Sequence, residues 1–216
     1  MEKEQGNIER ARELFQRGTE ADPTHGAVWQ AWALMENGQG DIERSRELFQ
    51  RGTEANPTHA PVWQAWALME KKQGNIERAR KLFEKGRKAN PMDILLWLAS
   101  ARLELEESDA LRTLELLDEA MKTIRVPYEQ AQLLVISGRA LASLHCLEDA
   151  EETFREALQL QENSTHCHYF FAACVLEPQG RLDEARSHYH RALELAPRNP
   201  KERENLERAL NRLKCL

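Results

Sequence analysis

The chain has 216 residues, 41% of them hydrophobic and 31% charged, with a net charge of −6 at pH 7. That composition excludes a disordered tail, and its longest apolar runs, such as the one at 133–136, exclude a bilayer-spanning helix. The acidic balance disfavours nonspecific nucleic-acid binding, but it is uneven: residues 1–91 carry 15 Lys+Arg against 14 Asp+Glu, and residues 92–216 carry 15 against 22.

The first residues, Met1-Glu2-Lys3-Glu4-Gln5, lack the basic and apolar regions of a secretory signal. Cys146, Cys167, Cys174 and Cys215 form no C-x-x-C pair, and free thiols in a reducing compartment are the simpler reading. A soluble intracellular protein is expected, with cytoplasm, nucleus and organelle equally open and a fragment of a longer chain not excluded.

The sequence repeats. Residues 6–39 and 40–73 differ at seven of 34 positions, and residues 74–91 begin a third copy. Gly6, Gly40 and Gly74 mark the period. Further on, the positions Phe15, Phe49, Phe83, Leu117, Phe154 and Tyr189 follow at steps of 34, 34, 34, 37 and 35. The step of 37 spans Val126-Pro127-Tyr128, where a longer turn or a longer helix is expected.

Each copy holds two helical patterns. The first met in the chain is a second-type helix over roughly 7–21, whose first-type partner is not in the sequence. Its repeat carries Ile42, Ser45, Leu48, Phe49, Gly52 and Ala55 at helical steps. Asn7, Asp41 and Asn75 stand where an N-cap is wanted. Asn/Asp-Pro at 22–23, 56–57 and 90–91 ends this helix, because proline cannot continue it and constrains the residue before it. A first-type helix then begins near Thr24, Thr58 or Met92. All five tryptophans, Trp29, Trp32, Trp63, Trp66 and Trp97, lie in first-type helices, and core packing is their expected role. The last segment, 199–213, places Leu206, Leu210 and Leu213 on one face and reads as a capping helix, with dimerisation as its alternative.

Trp63, Trp66, Ala67, Gly74, Ala79, Phe83, Gly86 and Pro91 resemble the tetratricopeptide repeat (TPR) pattern. Ala67, Glu70 and Arg80 shift it towards half-a-TPR (HAT) repeats, and Trp29, Trp32, Ala33, Glu36, Ser45 and Arg46 repeat that set. Gly138, Leu141, Ala150, Phe154 and Ala157, then Gly180, Ala185, Tyr189, Ala192 and Pro197, resemble ordinary TPR units. The resemblance implies an all-α fold: a right-handed α-α superhelical solenoid of about five to six helical hairpins. Its expected parts are HAT-like repeats over 1–107, TPR-like repeats over 108–197 and a capping helix over 198–216, in one continuous solenoid. HAT proteins serve splicing, transcript-end processing and organellar mRNA maturation. The resemblance therefore implies a non-enzymatic scaffold for protein–protein interaction in RNA processing. Direct binding of single-stranded RNA and a TPR adaptor unrelated to RNA stay open.

By position in such an array, the concave groove is lined by Gln30, Leu34, Asn37, Gln64, Leu68, Lys71, Leu98, Arg102, Leu105, Val135, Arg139, Ala142, Phe170 and Cys174. A protein or peptide partner, amphipathic or acidic, is expected there. The lysine-and-asparagine clamp of chaperone-binding TPRs is not matched. Arg10, Arg44 and Arg78, with Arg17, Arg51 and Lys85, recur at the period as possible RNA-contacting columns, against interleaved glutamates that favour a solvated face. Glu36 is expected to pair with Arg46, and Glu70 with Arg80, across hairpins. His145-Cys146, His166-Cys167-His168 and His188-Tyr189-His190 lack zinc spacing, so no metal or other cofactor is expected. No nucleophile motif, phosphate loop or H-E-x-x-H occurs, and neither an enzymatic activity nor a small-molecule substrate is expected.

Overall fold

The computed structural model describes residues 2–195 and 200–214, and side chains over 7–195 and 200–213. Pro197, Asn199 and Cys215, singled out in the sequence, lie outside the described residues. Among the described residues the fold is all helix: α1 (Glu2–Ala21), α2 (Gly26–Gly38), α3 (Ile42–Ala55), α4 (Ala60–Lys72), α5 (Ile76–Ala89), α6 (Ile94–Glu106), α7 (Ala110–Thr123), α8 (Pro127–Ser143), α9 (Leu147–Leu160), α10 (Thr165–Phe171), α11 (Leu182–Leu195) and α12 (Pro200–Lys214). A π-helical stretch, Ala172–Leu176, prolongs α10. The chain divides into two compact units, Met1–Ala99 and Ser100–Leu216.

In the first unit α2 pairs with α3, and α4 with α5, through turns at 39–41 and 73–75. Gly40 and Gly74 take left-handed φ values of 86° and 78° there, which residues with a Cβ rarely adopt. Asp41 accepts a bond from the Arg44 amide at 3.0 Å, capping α3. Asn75 occupies the N-cap of α5 but makes no side-chain cap, because its Nδ2 donates instead to Glu70. Asn7 caps nothing: α1 starts at Glu2 and runs through it. Glu2, Lys3, Glu4 and Gln5 are good helix formers, and no turn precedes Asn7 to stop them.

The prolines sit in the turns after α1, α3 and α5, and the first-type helices begin about two residues later than their sequence signals. Each turn is fastened by a tryptophan one turn into the helix. Trp29, Trp63 and Trp97 donate Nε1–H to the carbonyls of Pro23, Pro57 and Pro91, each at 2.8 Å. All five tryptophans are buried. Trp29 stacks on Trp32, and Trp63 on Trp66. Gly86 lets the chain come this close: a Cβ there would stand 2.8 Å from Trp63 Cβ.

In the second unit the irregular steps of 37 and 35 become visible. α8 has 17 residues where α2, α4 and α6 have 13. The turn before it, 124–126, has one residue fewer than those at 56–59 and 90–93. Three extra residues therefore enter as about one more helical turn, begun by Pro127 at a position that needs no N–H. The single extra residue of the step of 35 enters as the π-helical stretch. α12 buries Leu206, Leu210 and Leu213 in the core that also holds Tyr189 and Ala192 of α11. Arg212 binds both oxygens of Glu177 at 2.7 and 2.8 Å, and Arg186 reaches the Leu213 carbonyl at 3.2 Å.

Candidate functional site

The polar groups buried in the first unit are structural. Glu36 and Glu70 end first-type helices and are 1% and 0% exposed. Arg12 donates to Glu36 from Nε at 2.8 Å and Nη2 at 2.6 Å. Arg46 binds Glu70 from the same two nitrogens, both at 2.8 Å. Trp32 and Trp66 add an indole bond each, at 2.9 and 3.2 Å. Arg12's bond is the main reason the Glu36 carboxyl stays below the usual range. For Glu70, burial pushes upward, but Arg46, Asn75 and Arg78 outweigh it and the carboxyl is lowered.

These are not the expected pairs. Glu36 takes Arg12 rather than Arg46, and Glu70 takes Arg46 rather than Arg80, while Arg80 binds Glu77. The reason is helical phase. Ser45 faces its hairpin partner, donating to the Ala33 carbonyl at 2.7 Å. Arg46 is one residue on, about 100° round the helix, and so turns towards the next repeat's first helix.

The basic columns are partly engaged as well. Arg44 lies over the Trp32 ring at 5.5 Å and binds Glu47. Arg78 lies over Trp66 at 5.7 Å and stands 3.2 Å from Glu70. Arg10 binds Glu13 at 3.0 Å. Arg17, Arg51 and Lys85 are exposed. Of the first unit's expected groove residues, Leu34 and Leu68 are exposed at equivalent positions, and Gln30, Asn37, Gln64 and Lys71 are half-buried. Leu98 is buried, 3% exposed, and so is a core residue rather than an open lining one. α6 is apolar on more than one side, burying Leu96 and Trp97 as well.

The second unit holds a groove with a hollow of about 430 Å³. It brings together Arg102, Val135, Arg139 and Phe170 from the expected set; Leu105, Ala142 and Cys174 are half-buried outside it. Residues that sequence reasoning passed over complete it. Tyr128 and Gln132 precede Val135 and Arg139 on one face of α8, at helical steps that could have revealed them. Gln161, Asn163 and Ser164 come from the turn before α10, Thr165 and His166 from its first turn and Glu202 from α12. A smaller, mostly apolar hollow of about 160 Å³ adjoins it, bounded by Tyr169, Phe170, Asn205 and Leu206.

Arg139 is half-buried with its guanidinium 4.2 Å from the centre of the Phe170 ring. Burial lowers its proton affinity, and Arg102 adds to that, although the guanidinium stays charged. Nearby, His168 is buried and shares a 2.9 Å Nδ1···Nδ1 contact with His188. The Glu162 carbonyl can only accept, so His168 carries its proton on Nε2 and His188 donates through Nδ1. Burial takes His188 down to about 4. Burial also pushes the Cys167 thiol up to about 12, which leaves it inert. Among the described residues no three His, Cys, Asp or Glu side chains stand together as metal ligands, and no helix is long and apolar enough to cross a membrane.

The family model Iml2/Tetratricopeptide repeat protein 39 matches residues 47–211, and a tetratricopeptide repeat model matches residues 3–71. No curated protein matches the sequence. Among solved structures, yeast Tom70 aligns with a TM-score of 0.73 at 16% identity, over 94% of this chain and 42% of its own. Cut9 with Hcn1, an APC/C hetero-tetramer, gives 0.61 at 21%, over 95% and 40%. YrrB, described as a TPR protein with an unusual peptide-binding site, gives 0.55 at 13%, over 90% and 97%. The chain thus spans about two fifths of the Tom70 and Cut9–Hcn1 structures. At these identities the likeness is one of fold: an α-α solenoid of the TPR type.

Proposed function

The chain belongs to the Iml2/Tetratricopeptide repeat protein 39 family, and from that premise we propose that it is a non-enzymatic scaffold holding a protein segment in the second unit's groove. The observation that carries this reading is the lining itself. Tyr128 and Phe170 give apolar surface above the buried Val135 and Ile136, and Gln132, Asn163 and Thr165 give neutral hydrogen-bonding groups around two arginines. A peptide backbone with mixed side chains suits that surface. Peptide binding by YrrB, a fold neighbour, is in keeping with it.

The HAT-like residues of the first unit favour RNA processing as the setting, through partners that are proteins. Direct RNA binding is the competing reading. Against it, Arg10, Arg44 and Arg78 already hold glutamates, and two of them lie over tryptophans. The test has two arms on the whole chain. A displayed library of random peptides is expected to yield binders whose affinity collapses in Phe170→Ala. A filter-binding titration with single-stranded RNA at two salt concentrations is expected to give no tight complex. RNA retention with a steep salt slope, abolished by Arg44→Glu with Arg78→Glu, would replace the protein reading with the RNA one.

A further inference from the structure

The second unit is rich in acid. Residues 100–216 contain 15 Lys+Arg and 21 Asp+Glu. Its arginines accordingly find carboxylates. Arg112 lies by Glu104, Arg155 by Glu151, Arg181 by Glu151 and Glu184, Arg191 by Glu194 and Arg212 by Glu177. Among the described residues Arg102, Arg125, Arg139 and Arg203 depart from this pattern, the exposed Arg125 and Arg203 lying outside the groove. Arg102 and Arg139 line the groove, and among the described residues neither has a carboxylate within ion-pair distance. For an exposed arginine that would mean little. Arg139 is different, because the residue is half-buried and its guanidinium lies 4.2 Å from the centre of the Phe170 ring. A guanidinium carries five N–H donors in a fixed fork, and among the described residues this fork meets no acceptor. Among the described residues no Arg139 nitrogen is both buried and unpartnered, so the fork faces solvent and is open to a ligand. The acid-rich surroundings had every opportunity to supply an acceptor.

We propose that Arg139 and Arg102 form a carboxylate-binding site that selects an acidic residue in the bound segment, with a neighbouring apolar side chain seated in the hollow of Tyr169, Phe170 and Leu206. The inference rests on reading the groove as a protein site. The planar fork of Arg139 matches a carboxylate in two parallel bonds. Its contact with Phe170 restrains the side chain before the ligand arrives, so less freedom is lost on binding. Phe170 borders both hollows, which sets the acidic and apolar side chains of the ligand next to one another. Glu202 lines the same groove, and Glu106 acts on Arg139 through space. Two cations facing two acids favour a singly charged guest over a phosphate dianion.

The test uses the whole chain and peptides enriched from the random library. One enriched peptide is titrated calorimetrically beside its Glu/Asp→Gln/Asn analogue, its C-terminal amide and a version with phosphoserine in place of the acid. The chain is used unchanged and as Arg139→Leu, Arg139→Lys and Arg102→Gln. Loss of the peptide acid and loss of Arg139 are each expected to weaken binding on the order of tenfold or more, and together hardly further. Arg139→Lys, which keeps the charge but not the fork, is expected to fall between; circular dichroism checks that each variant is folded. The amide and side-chain analogues tell whether the carboxylate belongs to a side chain or to a peptide end. Peptides that bind in the groove equally well without acid would overturn the carboxylate site and leave the peptide reading standing. Tighter binding of the phosphoserine version would also overturn it. No peptide enriched at all would remove the reading beneath it.

Discussion

At the end of each first-type helix the same packing problem is solved in one way up to residue 104 and in the opposite way beyond it. The residue whose carbonyl accepts the amide bond closing the next turn is Glu36, Glu70 or Glu104 in three repeats, and Leu141 or Leu176 in the two that follow. Where glutamate stands, arginine is bound to it, joined by tryptophan at Glu36 and Glu70 and by asparagine at Glu70. Where leucine stands, hydrocarbon fills the space: Leu176 is fully buried, and Leu114 has replaced the arginine that would precede Leu141. The fold accepts either. A buried ion pair is thus one interchangeable solution here, fragile only when halved. In the glutamate repeats Arg12 and Arg46 are bound to those carboxylates. In the leucine repeats Arg139 is half-buried and faces a groove.

The largest effect that can break this comparison is Glu70→Gln. It leaves Arg46 and Arg78 beside a group that no longer carries charge, and about 3–5 kcal/mol of stability is expected to go. Urea unfolding followed by fluorescence reads this directly, because every tryptophan lies between residues 29 and 97. Arg46→Leu with Glu70→Leu copies the solution of the two leucine repeats and is expected to cost less than the two single changes added, by about 1–3 kcal/mol. Strict additivity would mean that the two positions are not one unit.

Next comes Gly86→Ala. Its methyl group would press on Trp63 Cβ at 2.8 Å, and overpacking of about 1–3 kcal/mol is expected in the same unfolding curves.

Acid should separate the units. The His188 imidazole falls from its ordinary 6.5 to about 4 in the fold. The unfolded chain therefore takes up that proton first, and the second unit loses stability as pH falls from about 6.5 towards 4. His59, lowered by burial and by His25, gives the first unit a smaller share of the same dependence. Glu36 and Glu70, both lowered, keep their contribution until pH drops through the carboxylate range. Helical circular dichroism should therefore be lost at a higher pH than native tryptophan fluorescence, and His188→Phe should narrow the gap.

The smallest effect sharpens the repeat alignment. His145 and Ser108 take φ of 62° at the turn position where Gly40 and Gly74 sit. His145→Gly is expected to raise stability by up to about 1 kcal/mol, and Gly74→Ala to lower it by a similar amount, both readable as shifts in thermal midpoint.

Much of this architecture was legible in the sequence because repetition turns one local reading into several. Phe15, Phe49 and Phe83 set the period, the Asn/Asp-Pro pairs set the turns, and the step of 37 announced an insertion near Pro127, as a longer turn or a longer helix, which the fold resolves as the longer α8; the step of 35 gave no sign of a π-helical stretch. What was not legible was phase. Glu36 and Arg46 looked like partners because they are close along a hairpin, but the 100° between Ser45 and Arg46 sends the arginine to the next repeat. In the groove, Arg102, Val135, Arg139 and Phe170 were named from their positions. Tyr128 and Gln132 were recoverable from the face of α8. Asn163 and Glu202 were not, since a turn and a helix from far along the chain come together only in the folded unit.

The central claim is that the second unit's groove holds a protein segment, and amide hydrogen exchange of the whole chain with and without a library-enriched peptide tests it most directly. The account predicts slowed exchange confined to 127–143 and 165–176, with residues 26–38 and 60–72 unchanged. Protection in the first unit's helices with none in α8 and α10 would contradict it.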